Sequence, residues 1–157
     1  MNKNSKWKAL ANTEVDHILN NLPTFKGTMA KDLFKGKINA NESGVINLDD
    51  SGGQGTHFTA YYNNPKHKHI YYFDSYGFIC PKNIEKYLQT SGKQILYSNG
   101  HLQMINSTVC GYYCIMFIVQ MEQGMSFYDF LAQFDETSQP KNDEIVKKWV
   151  TKWIFNK

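Results

Sequence analysis

Cys110-Gly111-Tyr112-Tyr113-Cys114-Ile115-Met116-Phe117-Ile118-Val119-Gln120-Met121-Glu122-Gln123 is the stretch that decides the fold. Almost nothing polar interrupts it, so a helix made from it has no solvent face and must lie at the centre of the molecule. It runs for about fourteen residues before Gly124, short of the roughly 18 that a bilayer span requires. A central helix of this kind needs covering layers, and the flanking sequence supplies them.

Upstream, Thr56 to Tyr62 and Ile70 to Phe73 read as aromatic-rich strands joined by a polar turn at Asn63-Asn64-Pro65. Gly44 to Leu48 and Gln94 to Tyr97 are further strand candidates, and Ser51-Gly52-Gly53-Gln54-Gly55 is a loop. Pro81 to Gln89 is a short helix with Pro near its first position. Thr13 to Leu22 is another, with Thr13 as cap, Asp16 three residues on, and Val15, Ile18, Leu19 and Leu22 on one face. Pro23 ends it. Downstream, one helix starts at the cap residue Ser126. Another runs from Asn142 with Ile145, Val146, Trp149, Trp153 and Ile154 on one face. The order helix, strands, central helix, helices indicates an α+β domain covering 1–157.

Composition narrows the function. The 157 residues are 41% hydrophobic and 15% aromatic, enough for a dense core without disulfides. Three cysteines, with no apolar stretch between Met1 and Lys8, lead us to expect reduced thiols and no secretion. All seventeen cations are lysines, so bidentate arginine readout of bases or phosphates is excluded. Seven of those lysines, against three acids, fall in 1–37. That excess reads as solvated surface, or as a site for weak, sequence-independent DNA contact.

Chemistry is expected at four residues. If Tyr62 pairs with His69, the same register sets His57 directly across from Asp74, with Cβ atoms about 4.5–5.5 Å apart. A carboxylate there holds an imidazole in one tautomer and supports its charge; a plain surface hydrogen bond is the alternative. Ser107-Thr108-Val109 offers caps for the central helix, placing Cys110 in its first turn, where helix amides and dipole favour a thiolate. Gly111 would leave space beside it for a substrate backbone. Cys114, one turn deeper, is a small core hydrophobe or, with Cys110, half of a zinc site. Gln103 stands seven residues before Cys110. Its amide suits an oxyanion donor, although a loop Gln is equally a solvated residue. His67 and His69 read as turn surface, His17 and His101 have no evident partner, and no ligand set completes a metal site around Asp49 and Asp50.

Taken together, Gly53-Gln54-Gly55-Thr56-His57-Phe58, Tyr72-Phe73-Asp74-Ser75-Tyr76-Gly77 and the run from Gln103 to Cys114 resemble the adenovirus endopeptidase (adenain) family, within the group that includes SUMO-deconjugating cysteine proteases. Phe25-Lys26-Gly27-Thr28 and Val45-Ile46-Asn47-Leu48 resemble its upstream part, so the likeness covers about 22–120. The resemblance implies a papain-related fold with the nucleophile helix on a small, mostly antiparallel sheet. It implies His57 as general base, Asp74 as its orienter, Cys110 as nucleophile and Gln103 in the oxyanion hole. Phe58 stands where many relatives have Trp, and Asp74 where the adenoviral enzyme has Glu. Cys80 is the only cysteine between acid and Gln, the interval from which the adenoviral enzyme tethers an activating peptide.

The expected function is a virus-encoded thiol endopeptidase that trims capsid or core precursors, cutting near glycine, in the virion or at the host-cell assembly site. No cofactor is expected for the chemistry; DNA or a peptide is the expected activator, if any. A monomer without a membrane partner is expected. An isopeptidase removing ubiquitin-like modifiers and a catalytically silent virion-binding module are the other classes. Narrow access past Gly111 and beneath the 52–55 loop underlies the expected preference for glycine.

Overall fold

The computed structural model describes residues 7–49 and 57–155. The expected loop at 51–55, Asp50 and Thr56 lie outside the described residues, as do the first six positions of the lysine-rich start.

A five-stranded sheet runs in the order β1 (Phe25–Ala30), β2 (Glu42–Asn47), β3 (Phe58–Asn63), β4 (Ile70–Phe73), β5 (Ile95–Tyr97). The β2–β3 and β3–β4 pairs are antiparallel, whereas β1–β2 and β4–β5 are parallel. Parallel neighbours require long connections. A 3-10 turn at Lys31–Leu33 and the following loop serve the first pair, and α2 (Lys82–Gln89) serves the second.

Both faces of the sheet are covered. Val45, Phe58, Ala60, Tyr62, Tyr71 and Phe73 point to α3 (Cys110–Glu122) and its neighbours. Ile46, Tyr61, Ile70 and Tyr72 point the other way, to Phe34, Ile38 and the α2 residues Ile84, Tyr87 and Leu88. Strand side chains alternate between faces, so a strand covered on both faces stays apolar throughout. That is why β3 reads as an unbroken aromatic run. Gly44 sits across from Tyr61, and a Cβ there would lie 2.6 Å from the Tyr61 hydroxyl. The missing side chain leaves the Tyr61 ring room to lie over the strand. Tyr61 and Tyr87 then donate to the buried Glu42 carboxylate at 2.6 and 2.5 Å.

Helix α3 is buried along nearly its whole length, as its composition requires. It packs on β3, with α1 (Asn12–Leu19), α4 (Phe127–Leu131) and α5 (Gln139–Phe155) around it. Ser126 caps α4 by accepting from the Asp129 amide at 3.0 Å, as expected. Helix α5 starts three residues before Asn142, with Pro140 in its first turn, where a missing N–H costs no hydrogen bond. Helix α1 starts one residue before Thr13. Its first turn is closed by Glu14 reaching back to the Ala11 amide at 3.0 Å, not by Thr13 and Asp16.

The hairpin register differs from expectation. Tyr62 pairs with Tyr71, not His69. Asn64 builds a local turn, accepting from the Lys66 amide through its side chain and from His67 through its carbonyl, and β4 starts only at Ile70. A two-residue shift keeps every side chain on its face, whereas a one-residue shift would reverse them all.

Candidate active site

Because the shift is even, His57 and Asp74 stay on one side of the sheet. His57 precedes β3 and Asp74 follows β4. They meet as a diagonal pair, with His57 Nε2 2.8 Å from Asp74 Oδ1. Continued past the strand ends, the observed register sets His57 opposite Tyr76. Their rings stack at 4.7 Å and 28°. The Tyr76 amide also donates to Asp74 Oδ1 at 2.8 Å. Aromatic support for the His57 imidazole therefore comes from Tyr76, while Phe58 is buried against α3.

Asp74 is held as firmly as it holds His57. Its amide donates to Ser98 Oγ at 2.9 Å, and that hydroxyl donates back to the Asp74 carbonyl at 3.0 Å. Gly77 closes the turn on the same carbonyl at φ 81°, and a Cβ there would meet the Gly100 carbonyl oxygen at 2.9 Å. Only glycine suits both that conformation and that approach.

Cys110 opens α3, near enough to His57 to act on the charge of its imidazole. Nε2 is committed to Asp74, which leaves Nδ1 for other partners. Burial is the largest influence on the imidazole and opposes its charge. The hydrogen bonds and negative charge of Asp74 and Cys110 outweigh it and raise the His57 pKa to about 9. The expected caps are occupied elsewhere. Thr108 Oγ1 donates to the Trp7 carbonyl at 2.7 Å, and Ser107 engages Gln103. No side chain caps α3, so its leading amides are not consumed by one.

Gln103 is fully buried. Ser75 Oγ donates to its Oε1 at 2.6 Å, and the Ser107 carbonyl, which can only accept, marks the other end of the amide as nitrogen. Nε2 contacts the Ser107 carbonyl at 3.0 Å and Ser107 Oγ at 2.9 Å. The Ser75 carbonyl also accepts from the Leu102 and Gln103 amides. One serine thus joins the acid loop to the glutamine loop. Asp143 on α5 underpins the same loop. It accepts from Tyr113 at 2.7 Å, while burial pushes its carboxyl above the usual range.

Three expectations change. Gly111 does not leave space for a substrate, because a Cβ there would lie 3.3 Å from Leu10 and 3.5 Å from Phe58; its smallness serves packing. His101 does have partners, bonding the Gln103 carbonyl at 2.8 Å and meeting the Tyr76 ring edge-on. His67 is no bare surface residue either, since it bonds the Tyr71 hydroxyl at 2.9 Å. Cys114 is buried, and burial drives its thiol pKa well up. Among the described residues no three His, Cys, Asp or Glu side chains group to hold a metal ion. Cys80 is buried in the cluster on the far face of the sheet, 3.4 Å from the Tyr97 hydroxyl. Sequence reading missed Tyr76, Ser75 and Ser98. Only the run Asp74-Ser75-Tyr76, adjacent to the proposed acid, pointed to the first two.

No protein-family model matches the chain, and no curated protein matches it in sequence. Solved structures do. The ASFV pS273R protease matches with a TM-score of 0.63 and 15% identity, over 82% of this chain and 63% of that one. Its selenomethionine form matches with a TM-score of 0.51 and 22% identity, over 59% of this chain and 38% of that one. The SUMO protease Ulp1, with its catalytic cysteine oxidized to a sulfinic acid, matches at 0.48 and 16% identity, over 78% and 72%. The chain therefore spans less than two thirds of the ASFV pS273R protease chain, and it shares that protein's fold.

Proposed function

We propose that the chain is a cysteine endopeptidase with Cys110 as nucleophile. The observation that carries this reading is the His57–Asp74 pair at 2.8 Å, with Cys110 beside that imidazole at the start of a buried helix. The imidazole donates from Nε2 to Asp74, so Nδ1 takes the thiol proton and an ion pair forms. The sulfur attacks a peptide carbonyl, and the carbonyl electron pair moves onto oxygen. The Cys110 amide and Gln103 Nε2 are the donors for that oxyanion. For this, Gln103 exchanges one of its two Ser107 contacts for the substrate oxygen. Collapse breaks the C–N bond as Nδ1–H protonates the leaving amine. Water, deprotonated by His57, then hydrolyses the thioester and frees Cys110.

The finer reading is a virus-encoded enzyme that cleaves capsid or core precursors at glycine-containing sites. The resemblance of the segments around His57, Asp74 and Cys110 to adenain supports it. The test is mass spectrometry of precursor proteins and glycine-containing peptides after incubation with the protein and with Cys110→Ala. Cleavage beside glycine, with an acyl adduct on Cys110 and none in Cys110→Ala, is expected. Release of a ubiquitin-like modifier from a lysine, with no backbone cut, would replace this reading by isopeptidase. Cleavage by Cys110→Ala would end both.

A further inference from the structure

A groove of about 520 Å3 borders the start of the helix that carries Cys110, lined by Trp7, Lys8, Asn106, Thr108, Val109 and Lys147 among others. We infer that this groove is a substrate subsite that takes an acidic side chain of the polypeptide being cleaved, an inference that rests on Cys110 as the nucleophile.

Position comes first. One wall is the stretch Asn106 to Val109, whose next residue is Cys110. A chain seated there lies within a few extended residues of the sulfur, at about 3.3 Å each. The volume falls in the ordinary range of ligand sites, about 300–1,000 Å3.

The opposite wall is built, not incidental. The Trp7 ring meets Tyr112 edge-on at 5.0 Å and 78°. The Trp7 carbonyl accepts from Thr108 at 2.7 Å, and the Lys8 carbonyl accepts from the Tyr112 hydroxyl at 3.2 Å. Both donors stand two residues from Cys110, one on each side. The start of the described chain is thus pinned to the segment that carries the nucleophile.

Charge selects the occupant. The lining holds two cations, Lys8 and Lys147, and no carboxylate. Each lysine has an acidic neighbour outside the groove, Glu14 and Glu144, both at 3.4 Å. Pairs this exposed contribute little, so neither consumes its lysine's attraction for a further carboxylate. Asp143, the other acid near Lys147, is buried and accepts from the Tyr113 hydroxyl. Trp7 and Val109 give the aliphatic stem of a glutamate an apolar floor.

The experiment has two arms. In the first, kcat/KM is measured on a peptide series in which each position within four residues of the cut is Glu, Gln or Lys. One position should favour Glu over Lys by about tenfold or more. The Lys8→Glu, Lys147→Glu double variant should erase or reverse that order. The second arm needs no turnover: fluorescence anisotropy of labelled peptides bound to Cys110→Ala, at low and high salt. The Glu peptide should bind more tightly than the Lys peptide, less so as salt rises. Equal kcat/KM across the series in an active enzyme, or equal affinities in Cys110→Ala, would overturn the subsite. Charge-selective binding without turnover of any peptide would support the groove and refute the protease reading instead.

Discussion

Asp74→Asn removes one charge and keeps the shape of the side chain, including an oxygen that still accepts from Tyr76. The imidazole it leaves behind is 14% exposed. His57 lies at about 9 against an ordinary value of 6.5, which corresponds to about 3 kcal/mol in favour of the charged ring at roughly 1.4 kcal/mol per pH unit. Cys110 supplies part of it and Asp74 the rest. With Asp74 neutral, burial acts with less opposition and the ring titrates lower. Folding stability follows with a definite sign. A proton bound more tightly in the folded state stabilises fully below about pH 6.5, progressively less as pH rises, and not above about 9. Urea unfolding should therefore show Asp74→Asn weakest relative to wild type near pH 6, by up to about 3 kcal/mol, with the gap closing by pH 10. Imidazole resonances followed by NMR from pH 5 to 10 report the midpoint directly. A wild-type ring titrating near 6.5, or one that titrates alike in both proteins, would refute the reasoning.

Gln103→Ala should lower kcat by about 10²–10³, with the folded fraction checked by circular dichroism; an unchanged kcat removes Gln103 from the site. Iodoacetamide at neutral pH should label Cys110 far ahead of Cys114 and Cys80, which are buried with raised pKa values, and peptide mapping reads the order. Tyr76→Ala should lower the His57 midpoint by a few tenths of a pH unit through loss of stacking worth about 0.5–1 kcal/mol, whereas Tyr76→Phe should leave that midpoint in place. Gly44→Ala should cost about 1–3 kcal/mol by chemical denaturation, because its methyl enters the space of the Tyr61 hydroxyl.

The elements that could be read from sequence are those whose signal is local. Helix α3 was legible because burial on all sides leaves no polar period. The hairpin was legible from its aromatics, and α4 from Ser126. Strand β1 was not assigned, because Gly27, at φ 134°, sits where the register with β2 shifts and breaks any alternation. The parallel edges escaped because pairing across a long connection leaves no local mark. His57 and Asp74 came together for a reason only half legible: their face is set by parity, while their separation depends on how many residues the Asn64 turn absorbs. Ser98 and Ser75 act through side-chain bonds to backbone and amide groups more than twenty positions away in sequence, and no sequence period encodes such bonds. Gly111 was misassigned because smallness beside a nucleophile has the same signature whether it admits substrate or Leu10.

Placing the proposed nucleophile on a helix without a solvent face has a consequence for how such a chain tolerates change. On an amphipathic helix, drift collects on the wet side. Here nearly every position of α3 is interior, so almost any replacement on it alters volume in the core and the setting of Cys110 together. Neutral variation is pushed outward, to α5's exposed side, the Asn64 turn and the groove beside Trp7. New specificities would arise there, on surfaces that can vary without disturbing the helix that carries Cys110.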